Sequence, residues 1–207
     1  MYQQESMFTC GAIQLVSKTT TLSSDDIEYL NKLYDRLEGK RYTRYFNLFS
    51  VIRKDISNQL QDPQWISINK KLSLGKRCIA NYFLLYDEDA FTYIHRDSPE
   101  RVTNTAITLI DKSSDLEGGE IIISQKIKKC KVGLHIPTDE DILAKKEQGI
   151  LINKAMSFTV IPQEVGETVW YPAQMMHGVS LVTRGYRKVL ISWYRDNEND
   201  KVQKESV

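Results

Sequence analysis

Cysteine, histidine and proline are scarce in this chain, at three, three and five among 207 residues. Cys10, Cys78 and Cys130 are scattered and odd in number, without the spacing of a zinc site or a disulfide framework. That excludes the small disulfide-stapled scaffolds and suits a reducing compartment. An excess of either charge is lacking too: 28 Lys and Arg stand against 27 Asp and Glu, for a formal charge of +1. Such balance gives no global attraction to nucleic acid or to an anionic membrane surface. No apolar run approaches the length of a membrane span, and no basic segment followed by an apolar stretch opens the chain. A cytoplasmic protein with no membrane partner is therefore expected. Internal repeats are absent as well, and the length suits one domain with a substantial core.

What is present begins as helix and continues as strand. Ser23 and Asp26 have the spacing of a capping box, Ile27, Leu30, Leu33, Tyr34 and Leu37 recur at three and four, and Gly39 follows as a stop. A short strand is expected over 12–16. A second helix is expected over 44–60, with Leu48, Phe49, Ile52 and Ile56 on one face, ending before Pro63. From Cys78 onward the pattern is of short strands, at 78–86, 90–95, 104–110, 120–124, 157–162, 167–171, 177–181 and 187–194. These predict a mainly β fold with α support, an antiparallel double-sheet jelly roll flanked by N-terminal helices. The organisation expected is a single domain over 1–195, with helical support in 1–77 and the jelly-roll core in 78–195. The charged segment 125–150, too long for a plain connection, is expected to form a flap at the pocket mouth. It contains His135, which has no ligand-spaced partner and is expected in a loop. A polar tail over 196–207 is expected to fray.

The chemistry concentrates in Tyr93-Ile94-His95-Arg96-Asp97. In extended chain, residues two apart project from the same side, so the His95 imidazole and the Asp97 carboxylate point together. His177, in another strand-like run, supplies a third ligand. Two imidazoles and one carboxylate with adjacent positions open are what a non-haem Fe(II) oxygenase requires. Ten residues after His177 comes Arg187, which alternation places on one face with Val189, Ile191 and Trp193. An inward arginine among apolar neighbours needs an anion, and a guanidinium matches a carboxylate with two parallel hydrogen bonds. Lys188 falls on the opposite face and is expected at the surface, with Arg184 in a solvated turn.

Four ordered segments resemble the prolyl 4-hydroxylase-like branch of the 2-oxoglutarate/Fe(II) dioxygenases. They are Tyr86 through Tyr93 into His95 and Asp97, Gly118-Gly119-Glu120-Ile121, His177 with Arg187, and Trp193. The resemblance covers roughly residues 78 to 195. It implies a double-stranded β-helix in which His95, Asp97 and His177 are the catalytic metal ligands for Fe(II). It further implies 2-oxoglutarate and O2 as co-substrates, with ascorbate as an auxiliary reductant. Arg187 would hold the distal carboxylate of 2-oxoglutarate, Tyr86 would also contact the co-substrate, and Tyr93 and Trp193 would be wall residues. The implied reaction is hydroxylation of a C–H bond in a prolyl or other residue of a peptide or protein, with release of succinate and CO2. The halogenating relatives carry a small residue where Asp97 stands, so the carboxylate favours hydroxylation. The chain departs from the pattern at Leu109, where some relatives place a tyrosine on the distal carboxylate; Tyr86 or a threonine such as Thr108 is expected to stand in.

Alternatives stand beside this reading. A nucleic-acid dioxygenase of the same superfamily would place a second arginine six residues after the first, where this chain has Trp193. A small-molecule oxygenase and a cupin-like metal-binding module without turnover are the other two. No motif indicates an oligomeric state.

Overall fold

In the computed structural model, residues 16–45, 48–57, 60–98, 100–124 and 158–196 are described. They form strands β1 (Ser17–Thr20), β2 (Lys40–Tyr45), β3 (Leu48–Ile56), β4 (Arg77–His95), β5 (Asn104–Lys112), β6 (Glu117–Gly118) and β7 (Ile121–Ser124). After these come β8 (Phe158–Ile161), β9 (Glu167–Pro172), β10 (His177–Val179), β11 (Val182–Arg184) and β12 (Arg187–Arg195), with helices α1 (Ser24–Arg36) and α2 (Pro63–Ser73). The sheet runs β1-β9-β5-β12-β4-β10-β7-β8, with β3 on β4 and β2 on β3; β6 and β11 form a separate pair. Among the described residues every strand pair is antiparallel.

β4 organises this arrangement. Its first half pairs with β12, from Tyr86↔Arg187 to Arg77↔Arg195, and its last residues pair with β10 at His95↔His177. One strand therefore belongs to both layers of the jelly roll. The change of direction falls where β3 skips from Phe49↔Phe91 to Val51↔Tyr86, with Ser50 at φ 54° and Asp89 at φ 69°. Such a bulge bends a strand and re-aims the residues beyond it. Arg41 grips the bend, its guanidinium reaching both carboxylate oxygens of Asp87, at 3.1 and 2.5 Å, and the Ser50 carbonyl.

Strand alternation divides the core in two. Tyr82, Leu84, Tyr86, Ile107, Leu109, Val169, Tyr171, Val189 and Ile191 fill the space between the layers. Phe83, Ala106, Ile110, Trp170, Leu190 and Tyr194 face outward and are covered by Leu30, Leu33 and Tyr34 of α1 and Trp65, Ile68 and Leu72 of α2. α1 begins with the expected reciprocal cap, in which the Ser23 backbone N–H donates to Asp26 and the Asp26 N–H to the Ser23 hydroxyl.

The N-terminal third departs from the sequence expectation. Where a helix is expected over 44–60, the described residues hold the end of β2 and the whole of β3, which pair and extend the sheet, so 1–77 is not helical support alone. β3 alternates Val51, Arg53 and Asp55 on one face with Ile52, Lys54 and Ile56 on the other, and all but Asp55 are at least partly covered. The Arg53 guanidinium lies 3.9 Å over the Tyr82 ring and the Lys54 ammonium 3.9 Å over Tyr34. Two cations packed on aromatic rings look solvated in sequence, which hides the period of two. The second helix starts where the sequence pattern predicts one to stop. Asp62 caps it by accepting from the Gln64 and Trp65 N–H groups, and Pro63 is its first residue, where the missing N–H costs nothing. Segments 78–86 and 90–95 are one continuous strand. The expected flap over 125–150, His135, most of the 12–16 strand and residues 197–207 lie outside the described residues. Among the described residues no helix is long and apolar enough to cross a membrane.

Candidate metal centre

The cross-strand pairing of His95 with His177 brings their rings to a centroid distance of 4.2 Å. Asp97 lies just past the end of β4, held by its backbone N–H donating to the Ala173 carbonyl at 3.0 Å. Its Oδ1 stands 3.6 Å from His95 Nε2 and its Oδ2 3.7 Å from His177 Nε2. One ligand atom from each of the three lies within 4.8 Å of the others. The three residues singled out in the sequence thus converge.

The groups behind them fix their orientation. His95 Nδ1 faces the Tyr93 carbonyl at 2.7 Å and His177 Nδ1 faces the Met175 carbonyl at 2.9 Å. A carbonyl can only accept, so each Nδ1 carries a proton and each Nε2 is the ring atom that faces the shared space. Burial, reinforced by His95, pushes the His177 pKa down to about 4, so its imidazole is neutral, the form a metal binds. Burial raises the Asp97 pKa, but the hydrogen bond with His95, both imidazoles and the Thr105 hydroxyl outweigh it and hold the group below its ordinary value. Two imidazoles with Nε2 toward the shared space and one ionised carboxylate suit Fe(II) or another divalent first-row metal.

Arg187 stands on the same inner face, paired across the strands with Tyr86, its guanidinium carbon 6.0 Å from that ring. It is 3 % exposed, and burial lowers its pKa to about 10, so it remains charged at neutral pH. Its hydrogen-bond acceptors among the described residues are both neutral: the Gly119 carbonyl, from Nη1, and the Gln163 side-chain oxygen, from Nη2 at 2.9 Å. Nε is buried with no partner among the described residues. Gly119, at φ 72°, makes room for this side chain, since a Cβ there would sit 3.0 Å from Arg187 Cδ. Gly118, at φ 80°, lets the backbone pass Leu181, whose carbonyl oxygen would lie 1.9 Å from an added Cβ. The paired glycines of the motif therefore have separate physical reasons.

The remaining expectations divide. Tyr86 is buried beside Arg187, its hydroxyl 2.8 Å from that of Thr92, and burial raises its pKa. Trp193 forms an inner wall with Tyr82, edge to face at 5.5 Å. Tyr93 packs edge to face on Phe91 at 4.8 Å. Thr108 is not in the site: it pairs with Leu190 on the outward face and bonds Thr168 at 2.8 Å. Lys188 is not at the surface. It is 9 % exposed, under α1, where its ammonium reaches Asn31 Oδ1 at 2.8 Å and Asp111 at 3.3 Å and lies 4.6 Å from the Tyr34 ring. Arg184 is exposed as expected, near Asp115 and Glu117, but it ends β11 rather than lying in the turn. Tyr171, Thr105 and Gln163 join the site unforeseen. The Tyr171 ring lies 4.6 Å from that of His177, and alternation on β9 was the one signal that placed it inward.

No family model matches the sequence, and no curated protein matches it. Solved structures do. An oxidoreductase of the 2OG-Fe(II) oxygenase family from Burkholderia pseudomallei is similar over 86% of this chain and 84% of its own, with a TM-score of 0.60 at 12% identity. A Pseudomonas putida prolyl-4-hydroxylase is similar over 88% and 93%, with a TM-score of 0.56 at 16% identity. HygX from Streptomyces hygroscopicus, solved with nickel and 2-oxoglutarate bound, is similar over 88% and 83%, with a TM-score of 0.61 at 14% identity. The architecture is the jelly-roll double-stranded β-helix of the 2OG-Fe(II) oxygenases. This chain shares that fold and carries a His-Asp-His group inside it.

Proposed function

We propose that the protein is an Fe(II)- and 2-oxoglutarate-dependent oxygenase that hydroxylates a C–H bond. The observation that carries the reading is Arg187, a buried cation with two neutral acceptors, on the same inner face as the His95–Asp97–His177 group. A buried charge is stable only when paired; Glu120 acts on it without a hydrogen bond among the described residues, and a dicarboxylate co-substrate supplies a direct partner. His95 Nε2, His177 Nε2 and an Asp97 oxygen would hold the metal. When bound, Fe(II) supplies oxidation of a C–H bond by O2, coupled to conversion of 2-oxoglutarate to succinate and CO2. The chain's own residues hold and orient. The Tyr93 and Met175 carbonyls keep the imidazole protons on Nδ1, Thr105 orients the Asp97 carboxylate, and Arg187 binds the distal carboxylate. Tyr86 contacts the co-substrate and keeps hydrogen-bonding capacity beyond Thr92. The inner aromatics Tyr82, Tyr171 and Trp193 exclude water.

A prolyl or other residue in a peptide or protein is the substrate we favour, supported by the prolyl hydroxylases among the structures of like fold. A small-molecule substrate is the second reading, supported by HygX, solved with hygromycin B, and by the epimerase SnoN from nogalamycin biosynthesis. The test is anaerobic titration of 2-oxoglutarate into the Fe(II)-loaded protein, following the metal-to-ligand charge-transfer band, and then admission of air with succinate measured. Absence of both signals overturns the reading. A peptide library screened by mass spectrometry for one added oxygen separates the two substrate classes, and ascorbate dependence is read in the same assay.

A further inference from the structure

We infer that Gln163 is a positioning residue that aims Arg187 without neutralising it, and so sets the site's preference for a co-substrate with a second carboxylate. The inference rests on the 2-oxoglutarate reading above. Gln163 lies between β8 and β9 and is 9 % exposed. Its side-chain nitrogen donates to the Ile107 carbonyl on β5 at 2.9 Å and to the Glu167 carbonyl on β9 at 3.1 Å. Its oxygen accepts from Arg187 Nη2 at 2.9 Å.

Those three contacts define the orientation of the amide. Turned over, it would set its oxygen against two carbonyl oxygens and its nitrogen against a cation, so the network admits one arrangement. The guanidinium is thereby tied to the β5–β9 pair at one end and to Gly119 at the other. Both ties are to neutral oxygens, and the buried charge stays available.

A carboxylate at position 163 would have nearly the same shape and the opposite consequence. It would pair permanently with Arg187, and an incoming anion would have to displace it. A neutral side chain of similar length without polar atoms would leave the charge but release the aim. Gln163→Glu and Gln163→Met therefore differ in their effect on the charge while sharing the loss of the two carbonyl contacts.

The experiment is calorimetric titration of the parent protein, Gln163→Glu and Gln163→Met, each loaded with Zn(II), with two ligands. One is 2-oxoglutarate. The other is oxalate, which chelates a metal but has no distal carboxylate. Gln163→Glu is expected to weaken 2-oxoglutarate on the order of 100-fold, and Gln163→Met roughly tenfold. Oxalate affinity is expected to be the same in all three, which a merely structural role would not produce. If Gln163→Glu does not fold, the selective loss in Gln163→Met carries the test alone. Unchanged 2-oxoglutarate affinity in the folded variants, or parallel loss of both ligands, overturns this inference while parent binding upholds the oxygenase reading. A parent protein that binds oxalate and not 2-oxoglutarate overturns both.

Discussion

Arg187 and Lys188 are neighbours in sequence with opposite surroundings, and substituting each should separate binding from folding. Arg187→Ala removes a buried cation from the inner face. Anaerobic titration is expected to show 2-oxoglutarate affinity lowered ten- to several-hundredfold, on the order of a few kcal/mol, with metal affinity little changed. Lys188→Ala removes the ammonium from Asn31, Asp111 and the Tyr34 ring, so urea unfolding should show a loss of about 1–3 kcal/mol with co-substrate affinity unaltered. The sequence revealed the first residue and misplaced the second for one reason. Strand phase gives the face but not what covers it, and here α1 lies over the outward face. The convergence of His95, Asp97 and His177 was legible because the first two need only local alternation and the third stands where the family resemblance marks a histidine. Gln163 was not legible, since its position depends on carbonyls from β5 and β9 that no local pattern brings together.

At the scale of elements, the two helix termini make testable claims. Asp26 at the start of α1 is buried, which raises its pKa. The hydrogen bond from Lys71 at 2.6 Å and those from the Ser23 N–H and hydroxyl outweigh burial and leave it lowered. A lowered folded pKa means that this stabilisation is present above the ordinary carboxylate range and is lost as pH falls through the folded value. Asp26→Asn should cost about 1 kcal/mol near neutrality, with the gap from the parent closing below about pH 4; urea unfolding at several pH values measures it. α2 ends on Leu74, at φ 48° and ψ 35° and 57 % exposed, where a branched side chain is strained. Leu74→Gly should raise stability by about 0.5–1 kcal/mol, the relief of strain exceeding the added chain entropy. Calorimetry should show the melting temperature rising by roughly 1–3 °C. Pro63 reads two ways, as the break after a helix or as the first residue of one. Only the Asp62 cap decides between them, and the apolar spacing of β3 pointed the other way.

For the molecule as a whole, the proposed ligands come from β4 and β10, strands far apart in sequence that pair at His95 and His177. An ion bound there ties the two together in the folded state alone. At a Zn(II) concentration about 100-fold above its dissociation constant the gain is about 2.7 kcal/mol, so the melting temperature should rise by roughly 5–10 °C and return with chelator. His177→Ala should abolish the shift. The jelly roll itself was readable from eight strand patterns and their turns. Its extension by the β2–β3 hairpin was not, because cations resting on aromatic rings disguised a covered strand as a helix face.

The passage of β4 through both layers also constrains how this chain can diverge. Replacing side chains leaves the backbone course intact, and solved structures of like fold share only 12–16% identity with this chain. Length is another matter. One residue added between Phe91 and His95 would turn every later side chain of the strand to the opposite face and carry the His95 imidazole out of the pocket. One residue added in the turn between Lys112 and Glu117 would alter neither strand. Lineages of this fold can therefore change almost any letter of β4 but not the count of letters leading to its histidine.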